Sequence, residues 1–110
     1  MTLDAIQQIC NNFPEVTEDI KWEDHLCFCT GGKMFLITSP AELPVTASFK
    51  TTADLFEELT EREGFKPAPY LGKHKWVWVD DISRIGSREW KELLKISYDL
   101  VRAGLPKMKK

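Results

Sequence analysis

Hydrophobic positions divide the 110-residue chain into three helical stretches and five extended ones. Leu3, Ile6, Ile9, Cys10 and Phe13 recur at the spacing of one helix face, and Thr2 stands where it can cap the first turn. The helix should end near Asn11-Asn12, because Phe13 precedes Pro14 and is steered away from helical backbone. Val16–Trp22 reads as a strand. His25–Thr30 alternates, with Leu26 and Phe28 on one side and His25, Cys27 and Cys29 on the other. After Gly31-Gly32 a further strand runs from Lys33 to Ser39, so the pair predicts a β-hairpin with a two-residue turn. A loop over Pro40–Pro44 leads to a fourth strand, in which Val45, Ala47 and Phe49 face a core and Thr46, Ser48 and Lys50 face away.

Thr51 and Asp54 have the spacing of a capping box, and Leu55, Phe56 and Leu59 supply the apolar stripe of a second helix that Gly64 ends. Pro67 and Pro69 predict an irregular segment from Phe65 to Gly72. Lys75–Asp80 is a fifth strand, with Trp76 and Trp78 on one face and Val77 and Val79 on the other. Ser87 is placed to cap a last helix whose inner stripe is Trp90, Leu93, Leu94, Ser97, Tyr98 and Val101. Gly104 and Pro106 stop it, and Lys107, Lys109 and Lys110 follow as a basic tail. Consecutive strands with short connections pair antiparallel, and helices so distributed most simply cover one face. The expected fold is therefore α+β and two-layered. It has a roughly five-stranded, mainly antiparallel sheet with helices on one face, in the order α-β-β-β-β-α-β-α, as a single domain over residues 1–110.

Composition supports a packed domain. Apolar residues are 43% and charged residues 29% of the chain, and a chain of this size buries roughly 65% of its unfolded surface without a metal or disulfide. No apolar run approaches the ~20 residues of a membrane span. Met1-Thr2-Leu3-Asp4 lacks the pattern of a secretory leader, and three cysteines (Cys10, Cys27, Cys29) point to reduced thiols. A cytoplasmic, monomeric protein is expected.

The net charge of −2 hides a division. Residues 1–63 hold four basic side chains (Lys21, Lys33, Lys50, Arg62) and twelve acidic ones, net −8; residues 64–110 hold eleven basic and five acidic ones, net +6. If the fold keeps the halves apart, the protein has two faces of opposite potential.

Catalytic and metal chemistry find little support. His25, Cys27 and Cys29 share a strand face, but alternate strand residues are roughly 6.6 Å apart and a closed site needs a fourth ligand. Cys27 and Cys29 read more simply as small apolar residues. Asp80-Asp81 at a strand end reads as a turn, and Gly31-Gly32-Lys33 is too poor in glycine for a phosphate loop. No metal, no cofactor and no enzymatic activity are expected.

A different cluster lies in Lys66–Trp78, KPAPYLGKHKWVW. Basic side chains neutralise phosphates and aromatic planes stack on bases. The candidate nucleic-acid-binding residues are Lys66, Tyr70, Lys73, His74, Lys75, Trp76 and Lys107. The competing reading is that Trp76 and Trp78 pack inside while the lysines are merely solvated.

The chain also resembles a known family. Phe13-Pro14-Glu15-Val16, Trp22 and Phe28-x-x-Gly31-Gly32-Lys33-Met34-Phe35 resemble the first half of the MmcQ/YjbR family. Pro67-Ala68-Pro69-Tyr70-Leu71-Gly72-Lys73 with Trp76-Val77 resembles its signature, and Ser97-Tyr98-x-Leu100-Val101 and Leu105-Pro106-Lys107 resemble its closing helix. The resemblance implies a compact α+β fold similar to frataxin-like proteins and type III secretion chaperones, and a DNA-binding role through a "double wing" motif. Glu15 stands where the family tends to have glycine. The partner classes expected are DNA or, alternatively, a protein held on the open face of the sheet in the manner of a chaperone-like adaptor.

Overall fold

The computed structural model describes residues 2–22, 24–69 and 71–105. Helix α1 (Leu3–Asn11) starts under the Thr2 cap, whose side chain accepts the Ala5 amide at 3.2 Å. Strands β1 (Val16–Lys21), β2 (His25–Thr30), β3 (Lys33–Ser39) and β4 (Thr46–Lys50) follow. Helix α2 (Ala53–Thr60), strands β5 (Phe65–Pro67) and β6 (Trp76–Val79), and helix α3 (Ser87–Ala103) complete the order. Gly31 and Gly32 both have positive φ (59° and 81°), as a tight hairpin turn requires.

The strands form one antiparallel sheet in the order β1-β2-β3-β4-β6-β5. It has six strands rather than five, because Phe65–Pro67 pairs with β6. That segment was expected to be irregular. A proline is tolerated because β5 is an edge strand of three residues with Pro67 at its end, where no second neighbour needs an amide. Two helix caps also differ from expectation. Thr52, not Thr51, caps α2 by accepting the Leu55 amide, while the Thr51 hydroxyl instead donates to the Lys75 carbonyl at 2.8 Å. Gly86 occupies the cap position of α3, and Ser87 is the first helical residue.

All three helices pack on one face of the sheet. Ile6 and Cys10 of α1, Leu59 of α2 and Trp90, Leu94 and Tyr98 of α3 join Phe28, Leu36, Ala47, Phe49, Val77 and Val79 in one buried cluster. The Trp90 indole donates to the Ile82 carbonyl at 2.9 Å, which satisfies its polar atom inside that core.

One irregularity sets the parity of β3. Phe28 pairs with Leu36, but Cys29 pairs with Met34, so Phe35 is an extra residue in a β-bulge. Phe35 and Leu36 both enter the core, and Met34 turns to the opposite face. The bulged carbonyl of Phe35 accepts a hydrogen bond from the Ser97 hydroxyl at 2.6 Å, and the Ser97 oxygen in turn accepts the Lys50 amide at 3.0 Å.

Candidate functional site

The face of the sheet away from the helices is built by strand alternation. Register carries one row across it: Asp19, Cys27, Ile37, Ser48, Trp78 and Lys66 are successive cross-strand neighbours. Charges lie at both ends and the middle is largely apolar. The faces are less polar than alternation suggested. Thr46 and Ser48, expected to point to solvent, are 6% and 8% exposed. Cys27 and Cys29 are also buried, yet they lie on this face and outside the helix-covered cluster.

The burial comes from curvature. Trp22 at the end of β1 and Trp78 on β6 line one groove of about 520 Å³, although three strands separate β1 from β6. Met34 and Ile37 of β3 also line this groove, and Pro69 and Leu71 lie on the Trp78 side in chain order. Trp22 is 63% exposed and meets the His25 ring edge-on at 5.7 Å between centroids. Met34 also lines a second depression of about 490 Å³, whose other walls include Lys21, Lys33, Lys50 and Trp76. The hollow is also walled by Leu100, Val101 and Gly104 at the end of α3, so it sits at the end of the sheet beside the helix layer and meets the aromatic groove through Met34.

The residues proposed from the sequence are only partly brought together. Lys66 on β5 is exposed, with its ammonium 4.7 Å from the centre of the Trp78 ring, a cation–π contact. Trp76 is 6% exposed, so it is a wall of the cationic hollow rather than a free stacking surface. Lys73 and His74 lie in a short 3-10 turn, Gly72–His74, and are exposed. Lys75 is left-handed (φ 67°) and reaches over the Phe56 ring of α2 at 5.1 Å, toward the helix side. Tyr70 and Lys107 lie outside the described residues, as does the basic tail. The turn is anchored to the sheet: Lys50 donates to the His74 carbonyl at 3.1 Å, and the Thr51 amide to the Lys75 carbonyl at 2.8 Å.

Sequence reasoning missed Trp22, Lys21, Lys33 and Lys50 as site residues. The lysines belong to the acidic half of the chain and meet Trp76 only through long-range pairing. Strand parity was the available signal, since it places Lys21 and Lys50 on the same face as Cys27, Ser48 and Trp78.

Charge is sorted by face. On the helix side Arg62 pairs with Glu89 at 2.9 Å, Arg84 with Asp80 at 2.6 Å, Lys95 with Asp99 at 2.8 Å and Arg102 with Glu15 at 3.1 Å, while Lys75 and, on α3, Arg88 and Lys91 make no ion pair with any described residue. Glu18 accepts from Gln7 and Asn11 of α1. On the open face Lys21 pairs with Asp19 at 3.2 Å, which raises its pKa and keeps it charged. Lys33, Lys50 and Lys66 make no ion pair with any described residue.

The cysteines are poor nucleophiles. Burial, with a smaller push from Glu18, raises the Cys10 thiol to about 12; burial raises Cys27 to about 11 and Cys29 in the same direction. Protonated thiols neither attack nor bind metal readily. Among the described residues no group of three His, Cys, Asp or Glu side chains could hold a metal ion, and no described helix is long and apolar enough to cross a membrane.

Comparison with known proteins agrees with the architecture. Residues 11–100 match the protein-family model described as YjbR. Among solved structures the chain is similar to the Deinococcus radiodurans protein DR2400, described by the domain DUF419. That likeness has 28% identity and a TM-score of 0.85, and covers 96% of this chain and 83% of that one. It is also similar in fold to a Pseudomonas syringae protein at 21% identity, with a TM-score of 0.74 and coverage of 91% of this chain and 98% of that one. No curated protein matches the chain.

Proposed function

The chain belongs to the YjbR family, and on that premise we propose that it is a small nucleic-acid-binding protein that takes a single strand on its open sheet face. The observation that carries this reading is that lysines unpaired among the described residues flank the groove of Trp22 and Trp78: Lys66 lies over the Trp78 ring, and Lys33 and Lys50 wall the hollow that shares Met34 with the groove. Phosphates favour the lysines, and unstacked bases favour an aromatic groove. The three helices lie on the opposite face, so a duplex read by a helix in its major groove fits this geometry less well than a strand with splayed bases. The DNA expected from the family resemblance is thus refined to a single-stranded form. The basic surface is also relocated, from residues 66–78 alone to a face shared by β1, β3, β4, β5 and β6. A binding role is preferred to catalysis because burial holds the three thiols protonated.

The test is tryptophan fluorescence titrated with single- and double-stranded DNA at two salt concentrations. Three neutralised phosphates on a single strand give a slope of log affinity against log salt of about −2. Affinity should therefore fall roughly 15- to 20-fold between about 50 and 200 mM salt. Lys66→Ala should flatten the slope by about 0.7. Salt-independent binding, or equal affinity for duplex, defeats the proposal.

A second reading is a protein-interaction module, favoured by Ile20 and Trp22, which are 60% and 63% exposed at the edge strand β1. An edge strand with exposed apolar side chains suits strand addition by a partner. It would be preferred if no nucleic acid binds at low salt.

A further inference from the structure

The groove floor holds polar groups that an apolar docking surface does not need. Ser39, Thr46 and Ser48 line it and are 7%, 6% and 8% exposed. Their hydroxyls have no hydrogen-bond partner among the described residues. Yet no side-chain nitrogen or oxygen that is fully shut off from solvent lacks a partner there. The three oxygens therefore open onto the groove, deep between Trp22, Ile37 and Trp78. Hydroxyls that open onto a groove bond water when it is empty, and a ligand's polar edge can take the place of that water while the walls take its apolar faces. The groove volume, about 520 Å³, lies within the ~300–1,000 Å³ of small-molecule pockets. Through Met34 it continues into the hollow that carries Lys21, Lys33 and Lys50.

We propose that this composite site holds one nucleotide unit: a nucleobase in the groove, its face against an indole and its polar edge on the Thr46 and Ser48 hydroxyls, with its phosphate at Lys33 and Lys50. The inference rests on the nucleic-acid reading above and adds a specific seat for a base. The chemistry is shared by a free nucleotide and by a nucleotide within a strand. A flat ring with hydrogen-bonding groups on its rim matches a site that is apolar on its walls and hydroxylated on its floor. The anionic group matches Lys33 and Lys50, which wall the hollow that shares Met34 with the groove.

The experiment compares three probes on the whole protein: an oligothymidylate strand, an abasic strand of equal length, and thymidine monophosphate. Affinity is read by tryptophan fluorescence and calorimetry. The base-bearing strand should bind between about five- and a hundredfold more tightly than the abasic one, the range that stacking of one base supplies. The double variant Thr46→Val/Ser48→Ala keeps the shape of the floor and removes two hydroxyls; it should lose most of that difference while abasic binding and its salt slope stay unchanged. Trp22→Ala, at an exposed position that folding does not need, should reduce the difference as well. Competition by thymidine monophosphate would identify the free nucleotide as a ligand in its own right, and binding of the strand alone would identify the polymer; either supports the site. Equal, salt-dependent binding of both strands overturns the base seat and leaves the nucleic-acid reading standing. Failure of both strands at low salt overturns the reading on which it rests.

Discussion

Ser97→Ala tests how the helix layer is fixed to the sheet. The Ser97 hydroxyl is fully buried and serves two backbone groups at once, donating to the Phe35 carbonyl and accepting from the Lys50 amide. Both needs arise from the sheet. The β3–β4 register, in which Leu36 faces Phe49, puts the bulge residue Phe35 opposite Lys50, and the Ser97 hydroxyl stands between that carbonyl and that amide. Alanine removes the hydroxyl and leaves a buried acceptor and a part-buried donor unsatisfied, at about 1–3 kcal/mol each. The higher helix propensity of alanine returns about 0.5 kcal/mol. The expected net loss is about 1.5–5.5 kcal/mol, a large share of the ~5–15 kcal/mol that holds a domain folded. Urea unfolding followed by tryptophan fluorescence should show a midpoint lowered by about 1–2 M with the slope unchanged. Ser87→Ala is the control, since Ser87 is exposed and no side-chain bond caps that end of α3; it should stay within about 0.5 kcal/mol of the parent. A Ser97→Ala loss no larger than that of the control would refute the claim that this hydroxyl holds the bulge.

Other perturbations have defined outcomes. Tyr98→Phe removes the bond from the Tyr98 hydroxyl to the Pro14 carbonyl at 2.6 Å but keeps the rings packed on Phe13 and Phe35, so the same unfolding assay should show a loss of about 1 kcal/mol. Gly31→Ala should cost more than Gly32→Ala: both positions are left-handed, but only at Gly31 would a Cβ run into the Leu105 side chain, adding to a backbone cost of about 1–2 kcal/mol. Stability should also fall with rising alkalinity through the thiols. Cys10 is raised from 9.0 to about 12 and Cys27 from 9.0 to about 11, so above pH 9 the unfolded chain loses these protons while the folded chain keeps them. Each thiol then lowers stability by up to about 1.4 kcal/mol per pH unit until its folded value is reached, and contributes no slope below that window. Cys10→Val should flatten the alkaline slope of the urea midpoint, and identical slopes in variant and parent would count against the assignment.

The local grammar of the fold was legible. Thr2, the Gly31-Gly32 turn and the Trp76/Trp78 alternation each act within a few residues, and each stands where its pattern placed it. What was not legible depends on partners far along the chain. Phe65–Pro67 becomes a strand because β6 offers it an edge, a fact absent from its own prolines. Thr51 gives up the cap to Thr52 because the Lys75 carbonyl, twenty-four residues on, takes its hydroxyl. The Met34-Phe35-Leu36 run shows no local sign of a bulge, yet the bulge decides that Met34 lines the site. Trp76 stands out in the sequence, but the lysines that share its hollow, Lys21, Lys33 and Lys50, come from strands whose pairing only the fold reveals.

A sequence pI of about 5.7, with charge counted along the chain, points away from a polyanionic ligand. Charge counted by face gives a different answer. Asp54, Glu57 and Glu58 ride on α2 behind the sheet, and Glu15, Asp80, Glu89 and Asp99 are engaged by cations. The molecule measures 45 × 28 × 28 Å, so acids on the far side of the helices lie well beyond the ~8 Å over which charge is felt at physiological ionic strength. Among the described residues, the acids near a phosphate at Lys33 or Lys50 include Asp19, which Lys21 engages, and Asp24, which meets the groove residue His25. Near ~0.01 M salt the screening length grows to ~30 Å, comparable with the whole protein, and the rear acids begin to repel the same ligand. Affinity should thus rise as salt is lowered and then level off, a curvature that a uniformly basic protein would not show.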